Sequence, residues 1–407
     1  MSSQENGSWS AVGLIYLATV LSMGFVGVIV PLIAYLQHDV GATSEQMGFA
    51  IALFSAPSAV LAGIGGAIVD RVGARASLIV SGVFAVIADP LIAAASSVAT
   101  LDIATLVAGV GFAGITVSAP ALIMAITRGA RRPQAMSVWS TYPPAGLSLG
   151  LLFAVPFAGP DHWRWALVLH GAVMIIITAG IFAVQKSPRP APSTRGGRAN
   201  GGPAEFVAAF GNLGVVRLAA AACLPAGLAY GTTLVIPSYL ANAQNLSLST
   251  ASTIVAFANL ATILGGLVAG YVLARQVSAL ALYGVTVLAG ILGQLLLFLP
   301  GAGLPVAMTG LMIWTFTIGG SIAATMALLP RVVRDPARGA AASGVVGQFI
   351  SAASFLVPSL YFGILGKGGS MEFVLLAAAA LVLSLFLLPA WKVRASGDAR
   401  PGMAPPV

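Results

Sequence analysis

Long apolar runs alternate with short polar breaks along almost the whole chain. Read for runs of about twenty residues, the pattern predicts twelve spanning helices. They fall at 11–36, 46–69, 77–98, 102–126, 135–158, 164–185, 214–240, 250–273, 279–299, 303–328, 340–364 and 371–391. Runs of this length match the thickness of a hydrocarbon core. They do not alternate polar with apolar residues at every second position, so they do not read as barrel strands. Most breaks are short, which favours antiparallel neighbours. The longest break, from Gln185 to about Glu205, is rich in Pro, Gly and Arg and reads as a flexible linker. The pattern thus divides the chain into a first bundle over 1–185, a linker over 186–213, a second bundle over 214–391 and a tail over 392–407. A short interfacial helix is expected over Phe206–Asn212.

Composition turns this pattern into a class. The 407 residues are 58% hydrophobic and 7% charged, with a mean hydropathy of +0.98. A soluble domain carries about a quarter charged residues, so this chain cannot cover a water-facing globule. The expected fold is an all-α integral membrane protein of two pseudo-symmetric six-helix bundles. Cys223 is the single cysteine, which excludes an internal disulfide and argues against a cysteine metal site. The three histidines lack metal-ligand spacing. No Ser/His/Asp arrangement and no Gly-Lys-Ser/Thr loop appears, so no enzyme activity, cofactor or metal is expected. Met1–Ser10 has no basic stretch of the kind that opens a cleaved signal, and the first run is expected to remain as a helix.

The net charge of +8 is explained by where the charges fall. With the N-terminus placed in the cytoplasm, the cytoplasmic loops and ends hold 17 of the 19 Lys and Arg residues, leaving Arg164 and Lys367 on the other side. That segregation follows the positive-inside rule. It makes the lipid bilayer the partner of the basic residues and removes the need for a nucleic acid. Both termini are then cytoplasmic, in a membrane of the bacterial inner (plasma) type.

The two halves echo one another. Gly27-Val-Ile-Val-Pro31 in the first run is matched by Thr233-Leu-Val-Ile-Pro237 in the seventh. The basic loop Arg128–Pro133 is matched by Arg331–Arg338. Paired halves of this kind are a mark of secondary transporters. Between the second and third runs stands Gly66-x-x-x-Asp70-Arg71-x-Gly73-x-Arg75, a charged turn that resembles the signature loop of the major facilitator superfamily. A weaker copy, Gly270 to Arg275, has Ala274 where Asp70 stands. The resemblance covers nearly the whole chain and implies alternating access, with the first, fourth, seventh and tenth helices lining a central cavity. It assigns Gly66, Asp70, Arg71, Gly73 and Arg75 to a gate, with Asp70 facing the start of the eleventh helix near Gly339. The block Trp139-Ser-Thr-Tyr142-Pro143-Pro144-Ala-Gly146, followed by Trp163-Arg164-Trp165, is similar to cyanate-permease-like members. The glycine-rich helix-five motif of drug/proton antiporters is not intact.

Two kinds of polar group remain inside the runs. Asp89, just before Pro90, is the one acidic residue deep in a span. A carboxylate there is a candidate for proton coupling. It equally fits a structural role, bonding backbone groups freed at the proline. No deep Lys or Arg is available to pair with it, and His170 is expected to lie shallowly in the sixth helix. The second kind is aromatic or neutral. Phe25, Trp139, Tyr142, Tyr230, Asn259, Trp314 and Gln348 are the candidate substrate-binding residues, beside Phe112, Thr116, Thr232, Thr233 and Thr315. Each alone could be packing. As a set without fixed positive charge they point to a small neutral, zwitterionic or weakly charged organic solute. Gln294 reads as a helix–helix contact. The expected activity is proton-coupled uptake by a monomer. Efflux of a drug or metabolite by proton antiport, and a sensor that binds without moving its ligand, are the competing readings.

Overall fold

The structure is a computed structural model. It describes residues 9–129, 131–184, 203–333 and 339–389, with the side chains of residues 62–64, 67, 70, 203–205 and 339–340 outside that description. Among the described residues every regular element is helical. In order they are α1 (Trp9–Val40), α2 (Ser44–Leu53), α3 (Ala56–Val72), α4 (Ala74–Ala93), α5 (Val98–Ile126), α6 (Arg131–Trp139) and α7 (Tyr142–Ala154). A 3-10 turn (Val155–Phe157) and α8 (Trp163–Ile181) follow. After the linker come α9 (Pro203–Phe210), α10 (Leu213–Ala243), α11 (Leu248–Ala274), α12 (Ala279–Phe298), α13 (Leu304–Val332), α14 (Gly339–Gly366) and α15 (Met371–Leu387). Nine of them (α1, α4, α5, α8 and α10 to α14) are long and apolar enough to cross a bilayer.

The other expected spans take different forms. The run over 46–69 is broken at Phe54–Ser55. Pro57 has no N–H, and its ring crowds the carbonyl four residues back, which favours a break at this point. The N–H groups of Phe54 and Ser55 turn instead to Ile51 O (3.2 Å) and Ala52 O (2.9 Å). The run over 135–158 is split for the same reason. Pro143-Pro144 opens α7 after a break at Ser140–Thr141, and Pro156 sits in the 3-10 turn. The last run holds α15, a helix of 17 residues.

The charged turn expected over Gly66–Arg75 is almost wholly helical. α3 runs through Val72, α4 begins at Ala74, and Gly73 alone reverses the chain at φ 94°, ψ 140°. That backbone region is essentially closed to side chains. Consequently α4 starts earlier than the expected residue 77 and stops at Ala93, with Pro90 still inside it. The short helix expected over Phe206–Asn212 falls at α9, which runs over Pro203–Phe210 instead, and Asn212 serves as a cap. Its Oδ1 accepts from the N–H groups of Gly214 (3.0 Å) and Val215 (3.3 Å), opening α10. Thr43 and Gln46 cap α2 reciprocally, at 3.2 and 2.8 Å. The linker residues 185–202, residues 334–338 of the second basic loop and the tail from 390 onward lie outside the described residues.

The helices form two bundles, and similar contacts build each. In the first, α1 and α7 meet where Gly24 and Gly27 face Gly146 and Gly150. A Cβ on Gly27 would lie 2.5 Å from Leu147 O. In the second, α10 meets α14, with Gly227 and Gly231 against Ala353, Val357 and Tyr361. Missing Cβ atoms let backbones approach, which drives association where lipid removes the hydrophobic difference. The bundles meet along two seams, α2 and α3 on α14, and α7 on α11. In the first seam Phe49 packs edge-on to Phe355 with centroids 6.4 Å apart.

Candidate functional site

The break between α2 and α3 places Phe54 in the middle of the first bundle, where it organises a chain of rings. Phe25 of α1 stacks on Phe54 (centroids 5.7 Å, 16°), and Phe54 lies 4.7 Å from Phe112 of α5. Phe112 is 6.4 Å from Tyr142, which is 5.1 Å from Trp139. Three of the sequence-derived candidates, Phe25, Tyr142 and Trp139, thus belong to one continuous aromatic surface. Phe54 was not among those candidates. The proline three residues after it is the signal that could have found it, because a helix break delivers a side chain to a place that periodicity does not predict.

The remaining candidates separate. Asn259 of α11 crosses to the other bundle, donating from Nδ2 to Pro144 O (3.1 Å) and Ser148 Oγ (3.3 Å) of α7. Gln348 of α14 crosses the other seam and donates from Nε2 to Ala59 O of α3 at 2.7 Å. Its Oε1 is buried without a partner. Tyr230 is buried in α10, and its hydroxyl, beside Ser55, has no partner within hydrogen-bonding geometry. Trp314 stands apart from these. It is fully buried inside the second bundle, over Gly290 and against the backbone at Gly293 of α12. The threonines mostly return to their own helices: Thr116 Oγ1 donates to Phe112 O, Thr233 to Ala229 O and Thr315 to Leu311 O. Gln294 joins α12 to α10 through Thr232 Oγ1 at 3.2 Å.

Of the gate residues, Gly66 lies within α3 and Asp70 and Arg71 in its last turn, with the Asp70 side chain outside the described residues. Its expected approach to the region of Gly339 therefore also falls outside them. Arg71 is exposed. Arg75 reaches across to the end of α8, where Nε donates to Ile181 O at 3.2 Å and Nη2 bonds Phe182 O. A guanidinium on the last carbonyls of a helix satisfies acceptors that have no intrahelical partner.

His170 is buried in α8, 4% exposed. Asp89 has a deep partner, and it is this histidine. His170 Nδ1 lies 3.0 and 2.9 Å from the two Asp89 carboxyl oxygens, and Nε2 lies 3.1 Å from Leu21 O of α1. No Lys or Arg is needed there, because a histidine can be buried neutral at far lower cost. A cavity of 10 Å³ adjoins the ring, lined by Ser22, Phe25, Ala85, Ala108, His170 and Met174. Phe25 therefore touches both the aromatic surface and the space beside His170.

At the end of the molecule away from the basic loops, Arg164 forms a second cluster. Its Nη2 lies 2.8 Å from Asp39 Oδ2, its Nε donates to Ala93 O at 3.1 Å, and its guanidinium sits 4.2 Å from the Trp163 ring centroid. Trp163 Nε1 also donates to Asp39 Oδ2, at 3.2 Å. The cluster ties together the ends of α1, α4 and α8.

Two packed helical bundles, with apolar outer faces and with amides and aromatic rings at their junction, define a multi-pass membrane protein. The sequence pattern of the Major Facilitator Superfamily matches residues 15–358, and the chain belongs to that superfamily. The glucose transporter GlcP of Staphylococcus epidermidis is 24% identical over 163 residues, which cover 40% of this chain and 36% of that protein. The chain thus aligns with just over a third of the length of this curated relative. Among solved structures it is similar to a bacterial homolog of the human lysosomal transporter Spinster, inward-facing and unoccupied. The TM-score is 0.74 and the identity 18%, over 95% of each chain. It is also similar to the human organic anion transporter MFSD10 (TM-score 0.68, 17% identity, 93% of this chain and 99% of that one). At these identities the structural likeness establishes the fold.

Proposed function

We propose that the chain is a secondary active transporter that takes up a small neutral, zwitterionic or weakly charged organic solute by alternating access, in symport with protons. One observation carries the reading. Among the described residues, the buried polar groups are hydroxyls and amides, and the acidic and basic ones are Asp89 and His170, which face each other. An interior with no unpaired fixed charge cannot clamp a polyanion or a polycation strongly, whereas aromatic faces and amides suit a small polar solute. In this reading the halves are 1–185 and 214–391, joined by the cytoplasmic linker 186–213 and followed by the cytoplasmic tail 392–407. The protein works as a monomer in a bacterial-type inner membrane. Gly66, Asp70, Arg71, Gly73 and Arg75 form the gate, so Asp70→Asn slows turnover more than it weakens binding.

The experiment is uptake by purified protein in proteoliposomes with an imposed pH gradient, acidic outside. Radiolabelled glucose is the first probe, prompted by the partial likeness to a glucose transporter, followed by an amino acid and a nucleoside. Accumulation above equilibrium that collapses with a protonophore supports the reading. Accumulation driven only by the opposite gradient establishes antiport and export. Saturable binding without flux establishes a sensor.

A further inference from the structure

The pair at Asp89 and His170 has a feature that fixes its protonation logic. Leu21 O is a carbonyl and can only accept, so the Nε2 that bonds it carries the hydrogen. The Nδ1–carboxyl contact then also needs one hydrogen. It resides on Nδ1, facing a carboxylate, or on Asp89, facing a bare Nδ1. Both arrangements are neutral overall and contain the same single proton. Removing it leaves a buried carboxylate against a nitrogen lone pair; adding another leaves a buried net positive charge. Each is costly in a low-dielectric interior.

The surroundings isolate this proton. The elements packed on the pair are α1, α4, α5, α7 and α8. Their other charged or titratable groups stand elsewhere. On α1, His38 and Asp39 are at the far end, Asp39 held by Arg164 of α8. Tyr16 bonds Thr141, and Tyr35 bonds Ala158 O. On α4, Arg75 is turned to the end of α8. On α5, Asp102 lies six residues before the cavity-lining Ala108, toward the α4–α5 connection. On α7, Tyr142 belongs to the aromatic surface. A cavity of 10 Å³ adjoins the imidazole, close to the volume that one water requires. Ser22 Oγ, on a residue 3% exposed and without a hydrogen-bond partner, belongs to a residue of its lining.

The second half offers an internal comparison. Asp89 and Gln294 occupy the same position, each the sixteenth residue of a 20-residue helix, α4 and α12. Asp89 pairs with a histidine, whereas Gln294 bonds the Thr232 hydroxyl of α10. Both link to the first helix of their own bundle, Asp89 through His170 and Leu21 O, Gln294 directly. The first half therefore has an ionisable link where the second has a neutral one.

We infer that Asp89 and His170 together are a one-proton binding site, the place where the coupling proton is held, and that α1 senses its occupancy through the Leu21 carbonyl. This rests on the proton-symport reading for the coupling role and on geometry alone for the proton site. A proton taken from water completes the Asp89–His170 link, so α1 is held to α4 and α8. Its return to water breaks the Asp89–His170 link and releases α1 from α4, while Nε2–H still bonds Leu21 O and keeps α1 on α8; Phe25 of the same helix packs on the aromatic surface.

The chain has three histidines, and His38 and His162 are exposed, so one site can be observed alone. The full-length protein, carrying His38→Gln and His162→Gln and labelled with ¹⁵N-imidazole histidine, is reconstituted in lipid and studied by NMR against pH. Nε2 is expected to stay protonated while the Nδ1 chemical shift changes in one step as its hydrogen bond to Asp89 is made or lost, a step that Asp89→Asn abolishes and Asp102→Asn leaves in place. A bare Nε2, or an Nδ1 state indifferent to Asp89→Asn, overturns the site. In proteoliposomes, Asp89→Asn and His170→Gln are each expected to lose gradient-driven glucose accumulation and retain glucose counterflow. Unchanged gradient-driven accumulation in both variants overturns the coupling role. If the unsubstituted protein shows no pH-driven flux for any probe, the symport reading fails, and the NMR result still decides the proton site.

Discussion

Gln348 of α14 donates to the carbonyl of Ala59 in α3 at 2.7 Å, a hydrogen bond between side chain and backbone that bridges the two bundles. Asn259 makes the corresponding link at the other seam, to Pro144 O and Ser148 Oγ. Both amides were singled out as solute ligands. Their observed partners make them, in this arrangement, contacts between the bundles, which under the proposed alternating access would separate as the bundles rock apart. A ligand role and a clasp role can alternate in one cycle, since an amide released from one partner is available to another.

Gln348→Ala is therefore expected to weaken this arrangement of the bundles. A polar interhelical contact in a membrane contributes about 0.6 kcal/mol on average, near threefold in a conformational equilibrium. Spin labels at Glu45→Cys and Lys367→Cys, both exposed, on a Cys223→Ser background would report the seam. The distance distribution should broaden toward longer separations in Gln348→Ala. An unchanged distribution would show that Gln348 contributes nothing to the clasp.

Gly48 and Phe362 test the same seam by volume. A Cβ on Gly48 would stand 2.7 Å from Phe362 Cβ. Gly48→Val should force α2 from α14 and lower the melting temperature, with overpacking of this kind costing about 1–3 kcal/mol. Phe362→Ala in the same chain should recover part of that loss, giving a favourable coupling in the double-mutant cycle. Additive losses would mean that the two residues do not meet.

The glycines of the signature segment should behave differently from one another. Gly73→Ala meets nothing within 4 Å, so any loss comes from its positive φ, about 1–3 kcal/mol for a residue held in such a region. Gly66→Ala also meets nothing, but lies within α3. There alanine is the better helix former by roughly 0.5–1 kcal/mol. Thermal melts in one detergent should show the first variant falling and the second holding or rising. Equal effects would contradict the reduction of the turn to Gly73.

Arg164 and Asp39 form a partly exposed pair, with 47% and 28% of their side chains accessible. Asp39→Asn combined with Arg164→Gln should give a coupling of about 0.2–1 kcal/mol that shrinks with added salt. Arg164→Lys should not restore stability fully, because lysine cannot both donate to Ala93 O and reproduce the planar stack on Trp163. Full rescue by lysine would show that charge alone matters at this corner.

The correct and incorrect expectations have specific causes. Most helices were readable because a backbone in hydrocarbon must satisfy its own hydrogen bonds, which leaves long apolar runs little choice. The second and fifth runs were misread as continuous, although Pro57, Pro143 and Pro144 were visible, because apolar periodicity does not register a missing N–H. Phe25, Tyr142 and Trp139 were legible as aromatic residues facing inward. Their contact through Phe54 and Phe112 was not, since it joins segments far apart in the chain.

By itself the sequence determined the membrane class, the near-complete helicity and the repeat of two halves. Those follow from transfer free energy and local hydrogen bonding, which act on each run separately. The tertiary structure decided which polar groups meet. Asp89 and His170 are 81 positions apart, and no local rule brings them together. They meet because α4, α8 and α1 pack closely enough that an unpaired acid there would be prohibitive, and a histidine with one face on a carbonyl supplies the missing partner. The charged segment around Gly73 changed in the same way. Its residues marked the family, and only the fold showed that one glycine makes the turn while Arg75 holds the end of a different helix.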